Sequence, residues 1–384
     1  MGIFRYLGIS IVMKNILFVT GTRADFGKLE PLAKAAIAEG YHVGFFVTGM
    51  HMMKKYGSTH MEVRNVHGAE IFEYVNQKEG DELDSILAKT VVGFSDFVHE
   101  NRPDLVVVHG DRIESTAVSI VCAMNYIYSA HIEGGEVSGT IDESLRHCNS
   151  KLCSTHFVSS KDAADRVIRL GEEKERVYVI GSPELDSHFN VSGVDIAEVK
   201  CRYEIPFEQY GVVVFHPVTS ERESMACQAQ SLYAALVKSG KNFVVIAPNN
   251  DPGSKHIFEI INTLPTERFR VIPSMRFQYF SQLLKSAAVV VGNSSVGVRE
   301  APFIGVSSID VGSRQKNRAV GNSIINCSAY DEDRIITLLS SDFWAKRYDS
   351  AKNFGCGDSC SKFVEVLSSE KFWSHSKQKI FSND

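Results

Sequence analysis

No two of the eight cysteines, Cys122, Cys148, Cys153, Cys201, Cys227, Cys327, Cys356 and Cys360, form a C-x-x-C pair. The common zinc and dithiol spacings are therefore missing, and the thiols read as reduced and mostly buried, as in a cytoplasmic protein. Cys356, Asp358 and Cys360 lack the second cysteine or histidine pair that a metal clip needs, so no metal is expected. No apolar run approaches the roughly 18 residues of a membrane span. Met1 to Val12 is mildly apolar and carries Arg5, which makes a poor secretion signal. Met13-Lys14 directly precedes a clean strand pattern, so Met13 reads as the natural start and residues 1–12 as an extension. Excess positive charge is missing too: 41 Lys and Arg against 46 Asp and Glu leave −5. With no basic-aromatic stripe either, nucleic-acid binding through bulk charge is excluded, whereas a local basic pocket for one small anion is not. There is no low-complexity segment, strict repeat, G-x-G-x-x-G or Walker loop.

The 384 residues have an ordinary globular composition, 44% hydrophobic and 23% charged, and are long enough for two domains. Short β-rich runs alternate with helical stretches, which favours a parallel α/β architecture. The pattern predicts strands at 15–20, 41–48, 105–109, 126–132, 156–158 and 177–180, then at 212–215, 243–246, 288–291 and 306–310. Helices are expected between them, including 28–39, 83–100, 145–152 and 227–239. The boundary falls between Gly181-Ser182-Pro183 and Pro206, so two doubly wound domains are expected to face each other across a cleft. Ligands of open parallel sheets bind beyond the carboxyl ends of the strands, and the polar clusters of this sequence sit there.

Three runs carry chemistry. Thr20-Gly21-Thr22-Arg23 follows the first strand. Its small residues suit either an anion approached by backbone N–H groups, with Arg23 reaching a phosphate, or a plain tight turn. Gly292-Asn293-Ser294-Ser295-Val296-Gly297-Val298-Arg299-Glu300 follows a later strand and is read as opening a helix. Ser294 and Ser295 suit a diphosphate, and Glu300 suits paired ribose hydroxyls. The two half-sites together imply a nucleotide diphosphate. The third run is a set of acids and bases at strand ends: His109-Gly110-Asp111-Arg112, Glu133, Glu136, Asp142-Glu143, Arg146-His147 and His216. Such groups can move a proton off carbon and protonate a leaving oxygen. Asp142 and Glu143 are equally suited to starting a helix. His51, after the second strand, reads as either a site residue or a structural one.

These motifs resemble the UDP-N-acetylglucosamine 2-epimerase family, in its hydrolysing branch that starts sialic acid synthesis. The likeness rests on Thr22-Arg23-Ala24-Asp25-Phe26-Gly27-Lys28, His109 to Arg112, the long block from His131 to His147, His216-Pro217-Val218-Thr219, Asn293 to Glu300, and Gly312-Ser313-Arg314-Gln315. It spans about Met13 to Asn322. The resemblance implies the GT-B fold: a Rossmann-like domain at 13–185, a second, UDP-binding one at 186–365, and a C-terminal helix over about 366–384 crossing back. It implies UDP contacts by Arg23, Arg112, His216, Asn249, Ser294, Ser295, Glu300 and Arg314. The acid/base group it implies is Asp111, Glu133, Asp142, Glu143 and His216. Candidate sugar contacts are His51, Glu136, Arg146 and His147. Gly27 stands where the animal branch can have Ser, so a contact by that hydroxyl would be lost here.

The implied reaction eliminates UDP from C-1 while a base takes the C-2 proton, giving a 2-acetamidoglucal. Water then adds at C-1 and a proton returns at C-2 from the other face, releasing N-acetylmannosamine and UDP without a cofactor. The family also implies a homodimer or homotetramer. Rival readings are the same chemistry on UDP-2,4-diacetamido-trideoxyhexose, a non-hydrolysing epimerase that re-adds UDP, a GT-B glycosyltransferase, and a nucleotide-sugar sensor. The dense carboxylates argue against the last two.

Overall fold

The computed structural model describes residues 13–138, 141–189, 193–248, 253–315, 318 and 321–382. Seven strands form the first sheet: β1 (Asn15–Thr20), β2 (His42–Val47), β3 (Ala69–Glu73), β4 (Leu105–His109), β5 (Ser129–Ile132), β6 (Thr155–Val158) and β7 (Val177–Val179). All pair in parallel, in the order β3-β2-β1-β4-β5-β6-β7. The second sheet has β8 (Gly211–Val214), β9 (Phe243–Ile246), β10 (Phe269–Ile272), β11 (Val289–Gly292), β12 (Ser307–Val311) and β13 (Ile324–Cys327). It is also parallel, in the order β10-β9-β8-β11-β12-β13. The strand order reverses between β1 and β4 in one sheet and between β8 and β11 in the other. Those switch points are where a parallel sheet opens a crevice.

The central strands are apolar without interruption because both faces are covered. In β1, Ile16 and Phe18 enter the core under the Arg23–Ala38 helix, while Leu17 and Val19 enter the core on the opposite face. In β8, Val213 and Val212 divide between the two faces of the second sheet in the same way. Three edge strands, β3, β10 and β13, were not anticipated. Their runs carry Glu70, Arg270 and Asn326, and each has two or more residues that are at least partly exposed.

Several boundaries differ from the sequence expectation for local reasons. The first helix starts at Arg23, ahead of the expected Lys28, because Thr22 caps it and Asp25 returns the bond in a capping box. The 292–300 run opens no long helix: it holds a short 3₁₀ turn, Ser295–Gly297, and a short helix, Glu300–Phe303. The division at 185/186 falls inside the Pro183–Phe189 helix that joins the lobes. The return to the first lobe is made by two helices, Ser359–Leu367 and Glu370–Ser374, in place of one helix at 366–384. Asp186 on the connecting helix caps the first of them, accepting from Ser359 N at 3.0 Å and Cys360 N at 2.7 Å. Phe363 then packs 6.4 Å from Phe18 and 4.8 Å from Phe157, so the returning chain completes the first core. All eight cysteines are free thiols.

Candidate active site

The carboxyl ends of β4 and β5 carry most of the acid and base groups. Glu133 follows β5 in the left-handed region, at φ 62°, a strained setting for a side chain other than glycine. Gly135 follows at φ 75°, where a Cβ would lie 2.2 Å from Ala163 O. This tight turn aims Glu133 inward. Its Oε2 accepts from Arg299 Nη1 at 2.8 Å, Lys28 Nζ at 2.9 Å and His109 Nε2 at 3.1 Å, and its Oε1 accepts from Ser182 Oγ. Burial opposes ionisation of Glu133, but Arg299 and Lys28, with the His109 bond, hold it well below the usual carboxylate range.

Arg299 comes from the second lobe and is fully buried. It also lies 3.5 Å from Glu184 Oε1 and 3.9 Å from Glu136 Oε1, with its guanidinium 5.0 Å from the Phe354 ring. Burial alone would depress Arg299; Glu133, Glu184 and Glu136 raise it above its ordinary value instead. Lys28 Nζ bridges Glu133 to Glu184 Oε2, the latter at 2.5 Å. Glu136 completes the cluster, accepting from Ser159 Oγ and from Arg318 Nε, the latter at 3.3 Å. Sequence reasoning gave no role to Lys28, Glu184, Arg299 or Arg318. The available signal was Arg299 itself, a charge set between Val296, Val298 and Ala301 in an otherwise buried run.

Asp111 lies in the turn after β4, partly exposed, and pairs with Arg146 Nη2. Arg146 is buried and also donates to Glu136 O at 3.1 Å. The turn is held from below by His131, whose Nε2 meets Gly110 O at 2.7 Å and whose Nδ1 meets Ser150 Oγ at 3.1 Å. Burial pushes His131 down to about 3, so it serves as a neutral brace. Arg146 is pushed down by burial and then by Arg318, Arg299 and Arg314. Arg146 of the first lobe and Arg299, Arg314 and Arg318 of the second thus share one field, in which Asp111, Glu133, Glu136 and Glu184 are the counter-charges.

At the second switch point, Gly292 has φ 137°, and a Cβ there would lie 2.1 Å from Val214 O. Only glycine lets β11 close this tightly on β8. Asn293 then clamps His216 like a strand partner: its Oδ1 accepts from His216 N at 2.7 Å and its Nδ2 donates to His216 O at 2.8 Å. Asn293 O in turn accepts from Arg314 Nη1 at 3.3 Å and Gln315 Nε2 at 2.9 Å. Burial, then Arg314, pushes His216 down to about 3, leaving a neutral imidazole. Ser294 caps the 3₁₀ turn through Val296 N. Glu300 Oε1 lies 3.5 Å from His188 Nε2, and His188 Nδ1 meets Ser281 Oγ at 2.8 Å.

The remaining candidates are held by other contacts. His51 is fully buried, with Nε2 2.9 Å from Thr20 Oγ1 and Nδ1 2.7 Å from Thr59 Oγ1, so it braces the β1 turn and offers no atom to a sugar. The Gly21 and Thr22 N–H groups both donate to Asp25, at 2.9 and 2.8 Å, so this turn has its own internal anion. Arg23 faces Glu62, and Arg112 Nη2 lies 3.7 Å from Met50 Sδ. Glu143 Oε2 accepts from Ser138 N at 2.6 Å and its Oε1 lies 3.6 Å from His147 Nε2, at the start of the Ile141–Leu152 helix with Asp142. Asn249 lies outside the described residues.

Two parallel doubly wound lobes with their strand-end charges gathered together have the GT-B arrangement. Residues 35–368 match the UDP-N-acetylglucosamine 2-epimerase family, and the chain belongs to it. It is 41% identical over 375 residues to a UDP-N-acetylglucosamine 2-epimerase of Neisseria meningitidis serogroup B, covering 96% of this chain and 99% of that protein. It is 30% identical over 364 residues to the hydrolysing UDP-N,N'-diacetylbacillosamine 2-epimerase of Legionella pneumophila, covering 93% of this chain and 96% of that protein. Among solved structures, an N. meningitidis UDP-GlcNAc 2-epimerase bound to UDP-GlcNAc superposes with a TM-score of 0.77 over 92% of this chain and 99% of that one. At 18% identity that likeness shows the fold, and the GT-B expectation holds. Among the described residues, no helix is long and apolar enough to cross a membrane.

Proposed function

We propose that the protein is a hydrolysing UDP-N-acetylglucosamine 2-epimerase, converting UDP-N-acetylglucosamine and water to N-acetylmannosamine and UDP in the cytoplasm. The observation that supports this reading is the meeting of charged groups from both lobes at the strand ends, Arg146 on Asp111, Arg318 on Glu136 and Arg299 on Glu133. A diphosphate leaving group develops charge as the C-1 bond breaks, and fixed guanidiniums stabilise that charge without reorganising. The second lobe supplies Arg314, His216, Ser294 and Ser295 to UDP, and Glu300 to the ribose hydroxyls.

The C-2 proton is not acidified by a carbonyl, so departure of UDP must run ahead of its removal. Asp111 suits the proton-transfer role better than Glu133. It is partly exposed and held by Arg146, whereas Glu133 already accepts from four donors in the buried interlobe cluster. Glu133 is then the counter-ion that holds Arg299 and Lys28 in place. Water adds to C-1 of the 2-acetamidoglucal, and a proton returns to C-2 from the other face.

Incubation with UDP-N-acetylglucosamine in deuterated water, followed by proton NMR, tests the reading. N-Acetylmannosamine with deuterium at C-2, together with free UDP, is expected. UDP-N-acetylmannosamine in equilibrium with substrate would place the protein with the non-hydrolysing enzymes. The likeness to the Legionella protein supports one second substrate, UDP-N,N'-diacetylbacillosamine, assayed the same way.

A further inference from the structure

Arg23 makes a contact that no nucleotide accounts for. It is the first residue of the Arg23–Ala38 helix. Its Nε donates to Glu62 Oε2 at 2.9 Å and its Nη2 donates to Glu62 Oε1, a two-point fork. Its Nη1 donates at 2.7 Å to Ser274 Oγ, which follows β10 in the other lobe. Arg276, also from that lobe, brings Nε within 3.9 Å of the same Glu62 carboxylate. A guanidinium has five N–H groups. These contacts use three, and one remains on each Nη.

We propose that Glu62 is a positioning residue for Arg23, fixing its guanidinium so that the remaining N–H groups meet the diphosphate, and that Ser274 engages Arg23 only when the lobes are closed. This rests on the reading of Arg23 as a UDP contact. A carboxylate on the Nε edge sets the plane of the fork and leaves the far edge for a second anion. An arginine held before the ligand arrives loses less conformational freedom on binding. Ser274 and Arg276 extend the hold across the cleft, so the orientation of Arg23 and closure of the lobes become one event.

Four proteins test this by calorimetric titration with UDP and by steady-state kinetics: the wild type, Arg23→Ala, Glu62→Ala and the double variant. Glu62→Ala is expected to weaken UDP about tenfold, raising KM with little change in kcat. In the Arg23→Ala background the same change should cost nothing further. Glu62→Gln, which keeps an acceptor oxygen, should recover part of the loss, and Ser274→Ala should give a smaller loss of the same kind. The residues are part-exposed or exposed, so matching thermal melts are expected for all variants. Equal losses from Glu62→Ala with and without Arg23 would overturn the proposal. Tighter UDP binding by Glu62→Ala would overturn it too, making Glu62 a competitor for Arg23. A wild type that binds no UDP would overturn the functional reading and the proposal together. A wild type that binds UDP with Glu62→Ala unchanged would overturn the proposal alone.

Discussion

Arg299 Nη1 and Glu133 Oε2 meet at 2.8 Å across the two lobes, although 166 residues separate them. Both side chains are buried, and Lys28, Glu184, Glu136 and Arg318 extend the pair into a network of three cations and three carboxylates. Removing one member of a buried pair leaves its partner uncompensated. Arg299→Met is therefore expected to destabilise the protein by about 3–5 kcal/mol, and Arg299→Lys by less. Urea unfolding checks this; a loss below about 1 kcal/mol would mean that Lys28 and Arg318 suffice.

Asp111 is the contrasting case. Its carboxylate is partly exposed and paired with Arg146, and Asn keeps an acceptor for that guanidinium. Asp111→Asn should lower kcat by about 10²–10⁴, the usual weight of general acid–base catalysis, and should cost less stability than Arg299→Met because its carboxylate is partly exposed. Glu133→Gln should instead lower both kcat and stability, because it takes the charge from the centre of the interlobe network. Opposite behaviour of the two variants would exchange their roles.

How much of this was legible in the sequence depended on burial and on separation along the chain. The central strands announced themselves because both faces are covered, which forces runs such as Val106-Val107-Val108 and Val212-Val213-Val214. Edge strands β3, β10 and β13 carry Glu70, Arg270 and Asn326, and their mixed runs did not stand out. Asp111, Glu133 and Glu136 stood out as candidates because each follows a strand within a distinctive block. Lys28, Glu184 and Arg299 did not, because their significance exists only when a helix of the first lobe, the connecting helix and the second lobe converge. His51 misled for the opposite reason: a histidine after a strand looks functional until both ring nitrogens are found bonded to buried threonines.

Asn293 shows what a backbone clamp contributes. Its amide holds both polar groups of the His216 backbone, while its carbonyl holds Arg314 and Gln315. Asn293→Asp keeps the acceptor for His216 N but turns the donor toward His216 O into a repelling oxygen. The expected cost is about 1–3 kcal/mol of stability, from a buried acceptor left unmet. UDP affinity should fall as well, since His216 and Arg314 lose their shared anchor. An Asn293→Asp protein that binds UDP as the wild type does would separate the clamp from the nucleotide site.

Acid should begin to weaken the protein before its carboxylates titrate. His131 is fully buried and sits near 3 in the folded state because of that burial, against about 6.5 when unfolded. Its folded value is depressed, so the unfolded chain binds the extra proton first. The contribution of His131 is at its full value above about pH 6.5 and falls as pH drops toward 3, by about 1.4 kcal/mol per pH unit. Melting temperatures measured from pH 7 to pH 4 should show this slope. A flat profile would mean that the His131 imidazole reaches solvent.

The returning C-terminal segment adds a second acid-sensitive anchor. Lys379 Nζ donates to Ser150 O at 2.7 Å, Lys151 O at 2.8 Å and Cys153 O at 2.7 Å, around the end of the helix that carries Arg146. It also lies 2.6 Å from Glu172 Oε2, which His156 Nε2 approaches at 3.0 Å. Burial opposes ionisation of Glu172, but His156, Lys379 and Lys151 bring it down to about 2. Its stabilisation is present above the ordinary value near 4.5 and is lost as pH falls through about 2. Lys379→Met removes a cation from Glu172 and three bonds to the helix end together. The acid limb of the stability profile should then move up by roughly half a pH unit or more. KM for the nucleotide sugar should rise, because Arg146 shares the loosened helix. A shifted acid limb with unchanged KM would confine Lys379 to stability, since the helix would then hold Arg146 in place without it.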